Sequence, residues 1–243
     1  MTIELHPLAQ FTVERILPLR VGQIDVSFTN AALMMAIIVC LITALIVFGT
    51  RRASLVPGRL QSVAEISYEF VADMVESNVG PEGLPYFPFV FSLFMFILFS
   101  NLLGLIPYSF TVTGQIIVTF ALALTVFIGV TIIGFIKHGL HFLRFFVPEG
   151  VPIVLLVILV PIEVLSYFIR PFTLSIRLFA NMLAGHTMLG IFAGFAAIIG
   201  IFAIFPIAID VVLLALELLV ATLQAYVFAI LSCLYLNDAI HMH

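Results

Sequence analysis

The sequence predicts an all-α polytopic membrane protein, with about five membrane helices, one amphipathic surface helix, and a last pair of helices that is long and tilted. Composition is the first reason. Of 243 residues, 63% are hydrophobic and 9% charged, against about 25% charged in a soluble domain. Mean hydropathy is +1.30, and lipid is the natural solvent for that much apolar surface. The second reason is a set of charge-free runs long enough to span a bilayer. The third is a handful of charges set deep inside apolar sequence. The net charge of -4 and the scatter of nine basic residues leave no phosphate-binding stripe, so nucleic acid is not an expected partner. Cys40 and Cys233 sit in apolar runs and read as small hydrophobes.

We treat residues 1–243 as a single membrane domain. Segment 1–28 is N-terminal, and its polar first ten residues show no cleaved leader. Residues 29–50 form the first span, with Thr29 or Asn30 as N-cap, followed by Arg51, Arg52 and Arg59. In 60–79, Val63, Ile66, Phe70 and Met74 recur at helical spacing, with Glu65, Glu69, Asp73 and Glu76 on another face. That is an amphipathic surface helix whose acids face protein or water. Residues 86–136 form a helical hairpin, 86–106 and 114–136, broken at Pro107, Ser109 and Gly114. A loop with Lys137, His138, His141 and Arg144 follows. The two histidines are weak evidence for a metal, and none is expected. Residues 151–237 form the remaining helices. Region 151–205 contains Pro152, Pro161 and Pro171, so it is two helices or one kinked, tilted helix. Region 206–237 is the last span. Counting basic residues in the loops places the N-terminus outside and the C-terminus in the cytoplasm.

The charges inside the last two regions carry the functional message. A charge at mid-membrane costs a few kcal/mol even on the lenient scale, so Glu163, Arg170, Arg177, Asp210 and Glu217 must face protein, a watery cavity or a partner. Glu163, Arg170 and Arg177 are spaced by seven and share one stripe; Asn181 lies one turn beyond. Asp210, Glu217 and Gln224 repeat that spacing. Two facing stripes would make a polar seam through hydrocarbon. His186, nine residues past Arg177, points away from the arginine stripe and can relay protons. Arg177 stays charged, so it is a barrier to protons and an attractor for a carboxylate. It has no acid one turn away, so its partner is across helices or on another chain. The plainer alternatives are that Glu163 and Arg170 are interhelical staples and that Asp210 caps a helix or meets its dipole.

The segment PFTLSIRLFANMLAGH, starting at Pro171, closely resembles the signature of subunit a of F-type ATP synthases. LELLVATLQAYVFAILSCLYL resembles that family's last helix, and FTNAAL and NLLGLIPYSF fit too. The likeness runs over most of the chain and favours mitochondrial and alphaproteobacterial members. In other members an acid stands where His186 stands and a histidine where Glu217 stands, so the exchange suggests that the two lie close together. The resemblance implies a stator beside a rotating ring of c subunits, with two offset half-channels. Arg177 matches the essential arginine that meets the ring carboxylate. His186, Glu217 and Gln224 match polar positions of the path, Asn181 the asparagine beside the arginine, and Glu163 and Arg170 positions near the cytoplasmic exit; Asp210 completes the set. It also implies b-type peripheral-stalk partners, the rest of the synthase, a bacterial inner membrane location, and neither cofactor nor nucleotide site. A stand-alone transporter would show repeated halves, an intramembrane hydrolase a nucleophile motif, and a purely structural subunit would not need Arg177 with His186 and Glu217.

Overall fold

The computed structural model describes residues 12–18, 20–21, 24–25, 27–51, 54, 56–106, 109–147, 152–199 and 203–241. The first ten residues, Arg52 and Pro107, on which parts of the sequence reading rest, lie outside these, as does the side chain of Arg144. Four short strands precede the helices. β1 (Arg15–Leu17) pairs antiparallel with β4 (Phe28–Thr29), and β2 (Arg20–Val21) with β3 (Ile24–Asp25). Helix α1 (Asn30–Thr50) starts from Thr29, whose hydroxyl accepts from the Ala32 amide at 3.3 Å. Asn30 ties that start back to the strands: its Oδ1 accepts from the Glu14 amide and its Nδ2 donates to the Thr12 carbonyl.

Helix α2 (Arg59–Val79) ends at Gly80, whose φ of 80° favours glycine. A 3-10 turn, Pro81–Tyr86, leads into α3 (Phe87–Gly104). A short 3-10 turn at Val112–Gly114 precedes α4 (Ile116–His138). Lys137 and His138 are thus the last turn of α4, not loop residues, and Gly139–Phe146 coils into a further 3-10 segment. Helix α5 (Ile153–Ile199) is a single helix of 47 residues that runs through Pro161 and Pro171, which decides between the two readings of that region. Helix α6 (Ile204–Ile240) has 37 residues and starts just before Pro206.

Among the described residues five helices are long and apolar enough to cross a membrane, and the chain is a multi-pass membrane protein. At 1.5 Å per residue α5 is about 70 Å long, more than twice the roughly 30 Å hydrocarbon core. It can stay in the bilayer only by tilting strongly. Helix α1 shows Leu33, Ile37, Val39 and Phe48 outward, as a lipid-facing span should.

The core lies between α3, α4, α5 and α6. Val90, Phe94 and Ile97 of α3 pack with Ala225, Phe228 and Ala229 of α6, and Ala123, Val126 and Val130 of α4 pack with Tyr167, Leu174 and Leu178 of α5. The inner face of α6 is mostly small (Ala221, Ala225, Ala229, Ser232, Cys233). Small residues let membrane helices approach closely. Helix α2 packs against α1, α3 and α6. Its buried residues are Gln61, Ala64, Val71, Met74, Val75 and Val79; Val63 and Ile66 are exposed, and Phe70 only touches the rings of Phe94 and Tyr226. The helix has two adjacent apolar stripes, and packing on three neighbours selects the one with Ala64 at the close approach. Its four acids are exposed.

Candidate functional site

Three polar contacts cross the seam between α5 and α6. At one end, Arg170 Nη1 donates to Asp238 Oδ2 at 2.9 Å. The same guanidinium lies over the rings of Tyr167 (5.6 Å) and Tyr235 (5.0 Å), and the Tyr167 hydroxyl meets Thr131 Oγ1 of α4 at 2.7 Å. Arg170 is therefore stapled across the seam to Asp238. In the middle, Asn181 Nδ2 donates to Gln224 Oε1 at 2.9 Å. Beyond it, His186 Nδ1 faces Glu217 Oε1 at 2.5 Å, both side chains being 5% exposed. The contact needs a gap in α5: a Cβ on Gly185 would lie 2.6 Å from Glu217 Oε1.

The α3–α4 connection closes over this pair. His186 Nε2 lies 2.8 Å from the Gly104 carbonyl and 3.0 Å from Thr111 Oγ1. Gly104 ends α3, so its carbonyl is one of those a helix C-terminus leaves without an intrahelical partner. Next to it, fully buried Asn101 donates to the Ala221 carbonyl at 3.0 Å and accepts from Thr113 Oγ1 at 2.8 Å. Deeper along α5, Ser175 meets Thr119 of α4 at 3.2 Å. Glu217 Oε2, Gln224 Nε2 and Ser100 Oγ are buried with no hydrogen-bond partner among the described residues. Such groups cost about 1–3 kcal/mol each, and their concentration here marks a polar interior kept for a reason other than stability.

Arg177 lies between the two ends of the seam, on the outer face. It is exposed, and it makes no hydrogen bond or ion pair among the described residues. Glu217 is turned to His186, so it is not the arginine's partner. By helical rise, Arg177 is about 13 Å from the level of His186 and about 10 Å from that of Arg170. Glu163 is half-buried and Asp210 likewise; Asp210 Oδ1 has no partner among the described residues. Asp210 lies in the second turn of α6, whose N-cap is Ala203, so it does not cap that helix. His138 Nε2 contacts the Ile240 carbonyl at 3.1 Å. Among the described residues no three His, Cys, Asp or Glu side chains gather as metal ligands.

The sequence reading missed Asn101, Thr111, Thr113 and Asp238. Asn101 is a lone amide in an apolar run, which is the one signal that could have found it. Asp238 falls just past the expected end of the last span.

Chemically the seam offers acids, amides, a histidine and hydroxyls along a path that hydrocarbon would otherwise close, beside an arginine turned outward. The ATP synthase A chain family matches residues 32–237. ATP synthase subunit a of Paramagnetospirillum magneticum is 54% identical over 98% of this chain and 99% of its own length. The subunits a of Rhizobium etli and Pelagibacter ubique are 55% and 54% identical, over 97% and 98% of both chains. A match of that extent, over the same residues that build the seam, leaves no ambiguity of kinship: this chain belongs to the ATP synthase A chain family.

Proposed function

We propose that the chain is the proton-translocating stator of the membrane sector of F-type ATP synthase. In this reading it forms two half-channels beside the c-subunit ring and couples proton flow to rotation and ATP synthesis. The observation that carries it is Arg177: a permanent charge within a membrane helix, turned outward, with no acid among the described residues paired to it. Such a charge needs a partner, and a carboxylate carried past on another chain is the partner its chemistry favours. At about 4 Å and an effective dielectric near 20 the attraction is roughly 4 kcal/mol. That holds the acid ionised, yet a membrane potential, which supplies about 2.3 kcal/mol per charge per 100 mV, can drive it onward.

The two polar clusters fall on opposite sides of Arg177 along α5. His186 and Glu217, with Asp210 beyond them toward the α5–α6 turn, serve the entry path. Glu163, Arg170 and Asp238 serve the exit, and Asn181 and Gln224 lie at the arginine's level. In this reading the fixed charge between the two clusters is what prevents a direct leak. Basic residues favour one orientation: Arg51, Arg52, Arg59, Lys137 and Arg144 fall on one side and Arg15 and Arg20 on the other. The first side is the cytoplasm of a bacterial inner membrane, so with five spans the N-terminus is periplasmic and the C-terminus cytoplasmic. The outward faces of the helices leave room for the ring and for b-type peripheral-stalk subunits.

The test is ATP-driven acidification of inverted membrane vesicles, wild type against Arg177→Ala and Arg177→Lys, with complex content checked on a native gel. Both variants should assemble and fail to pump, because lysine can lose its proton and lacks the planar fork. Normal pumping by Arg177→Ala would remove the arginine from the path and the reading with it.

A further inference from the structure

The surroundings of His186 decide which of its two nitrogens can move a proton. Nε2 lies 2.8 Å from the Gly104 carbonyl. A carbonyl oxygen only accepts, so Nε2 must carry a hydrogen whatever the charge on the ring. Thr111 Oγ1, 3.0 Å from Nε2 and 3.4 Å from the same carbonyl, fits this arrangement. It accepts a share of the Nε2–H and donates its own hydrogen to Gly104. The ring is 5% exposed; Glu217 is the titratable group that meets it, at Nδ1, and the Met182 backbone one turn back also bonds the ring. Asn101 and Thr113, in the neighbouring wall, do not titrate.

We propose that the C-terminal carbonyl of α3 and the Thr111 hydroxyl lock His186 as its Nε2–H tautomer, so that the residue exchanges protons at Nδ1 only. This rests on the reading that His186 and Glu217 belong to the proton path, and it changes what the histidine does there. A wire takes a proton on one nitrogen and releases it from the other. Here the carboxylic proton of Glu217 passes to the Nδ1 lone pair, giving carboxylate and imidazolium, and returns by the same atom. His186 is a side store that buffers Glu217, and Thr111 and Gly104 are its positioning residues.

The direct test is nitrogen-15 NMR of the assembled membrane sector with labelled histidine, the His186→Asn spectrum identifying the signal. At a pH where the ring is neutral, the hydrogen should be on Nε2; finding it on Nδ1 overturns the proposal. The kinetic test is ATP-driven pumping. Thr111→Val removes the hydroxyl at nearly constant volume and should slow pumping by about five-fold, the worth of one buried hydrogen bond, while Thr111→Ser recovers most of the rate. A Cβ on Gly104 would lie 2.9 Å from Thr111 Cγ2, so Gly104→Ala should also be slow. Adding Thr111→Ser, which deletes that methyl, should relieve it. Equal rates in Thr111→Val and wild type, or no recovery with serine, would sink the positioning role. If His186→Ala itself pumps normally, the wider reading of His186 fails instead, and the NMR result still decides the tautomer.

Discussion

Gly185→Ala is the smallest change that should disable the entry path. The new Cβ would lie 2.6 Å from Glu217 Oε1, 2.8 Å from Cδ and 3.1 Å from Cγ, and ordinary contact begins at 3.4 Å. Relief requires the carboxylate to retreat by about 0.8 Å or the helices to part by a similar amount. Either movement, taken along the line to the ring, stretches the 2.5 Å His186–Glu217 contact to about 3.3 Å, the weak end of the hydrogen-bond range. Overpacking of this kind costs about 1–3 kcal/mol. Charged to the proton-transfer step, that is about 5- to 150-fold in rate. The assay is ATP-driven acidification of inverted vesicles, normalised to assembled complex, with Gly185→Ala and Gly185→Ala/Glu217→Asp compared. The aspartate is one methylene shorter and vacates the clashing positions, so the double variant should recover part of the loss. Wild-type pumping by Gly185→Ala would refute the argument that this contact needs a bare backbone beneath it. Equal loss in both variants would place the damage in helix packing and not in the carboxylate.

Three further expectations follow from the same contacts. Asn101→Leu removes the bonds to the Ala221 carbonyl and from Thr113; at about 1 kcal/mol each it should lower the thermal unfolding temperature of the purified complex, and an unchanged temperature would deny that Asn101 clamps α3 to α6. Arg170→Ala should destabilise more than Asp238→Asn, because the pair is partly exposed and worth about 1 kcal/mol at most, whereas the ring contacts of the arginine persist without Asp238; the reverse order in denaturation would place the stabilisation in the ion pair. Exchanging the two residues, His186→Glu with Glu217→His, should harm pumping less than either single change, and strictly additive damage in the double-mutant cycle would argue against their coupling.

What the sequence made legible was whatever is expensive in lipid. Arg177, Glu217 and Arg170 announce themselves by cost, and helical phase alone turns His186 away from the arginine. That phase is what the structure displays, with Arg177 exposed and His186 buried. Neutral polar groups carry no such signal. Thr111 and Thr113 lie in a connection without periodicity, and only the fold brings Thr111 to a residue some 75 positions later and Thr113 back to Asn101. Which of the two neighbouring apolar stripes of α2 packs on protein is not legible in the spacing, because only the identity of the neighbours chooses between them. The continuity of α5 could not be read either, since Pro161 and Pro171 permit a break without requiring one. Pro171 is buried against neighbouring helices, whereas Pro161 is exposed, and the helix runs through both.

The phase difference along α5 also explains why one helix can serve both tasks. A group that meets a moving partner must be on the outside, and a group that holds a proton away from bulk water must be inside. Nine residues give two and a half turns, so Arg177 and His186 take opposite faces while remaining about 13 Å apart along the axis. Tilt then converts a separation along the helix into one across the membrane plane. In an upright helix the two polar ends of the seam would stack one above the other, and a proton could pass between them by the shortest line. In a helix about 70 Å long inclined to fit the bilayer, the same residues are displaced sideways as well as in depth. The ends of the seam become, on the proposed reading, two openings at different positions along the outer face, with the arginine between them. On the proposed reading, a proton that enters at one and leaves at the other must be carried sideways by something that moves, and the length of α5 is therefore part of the mechanism.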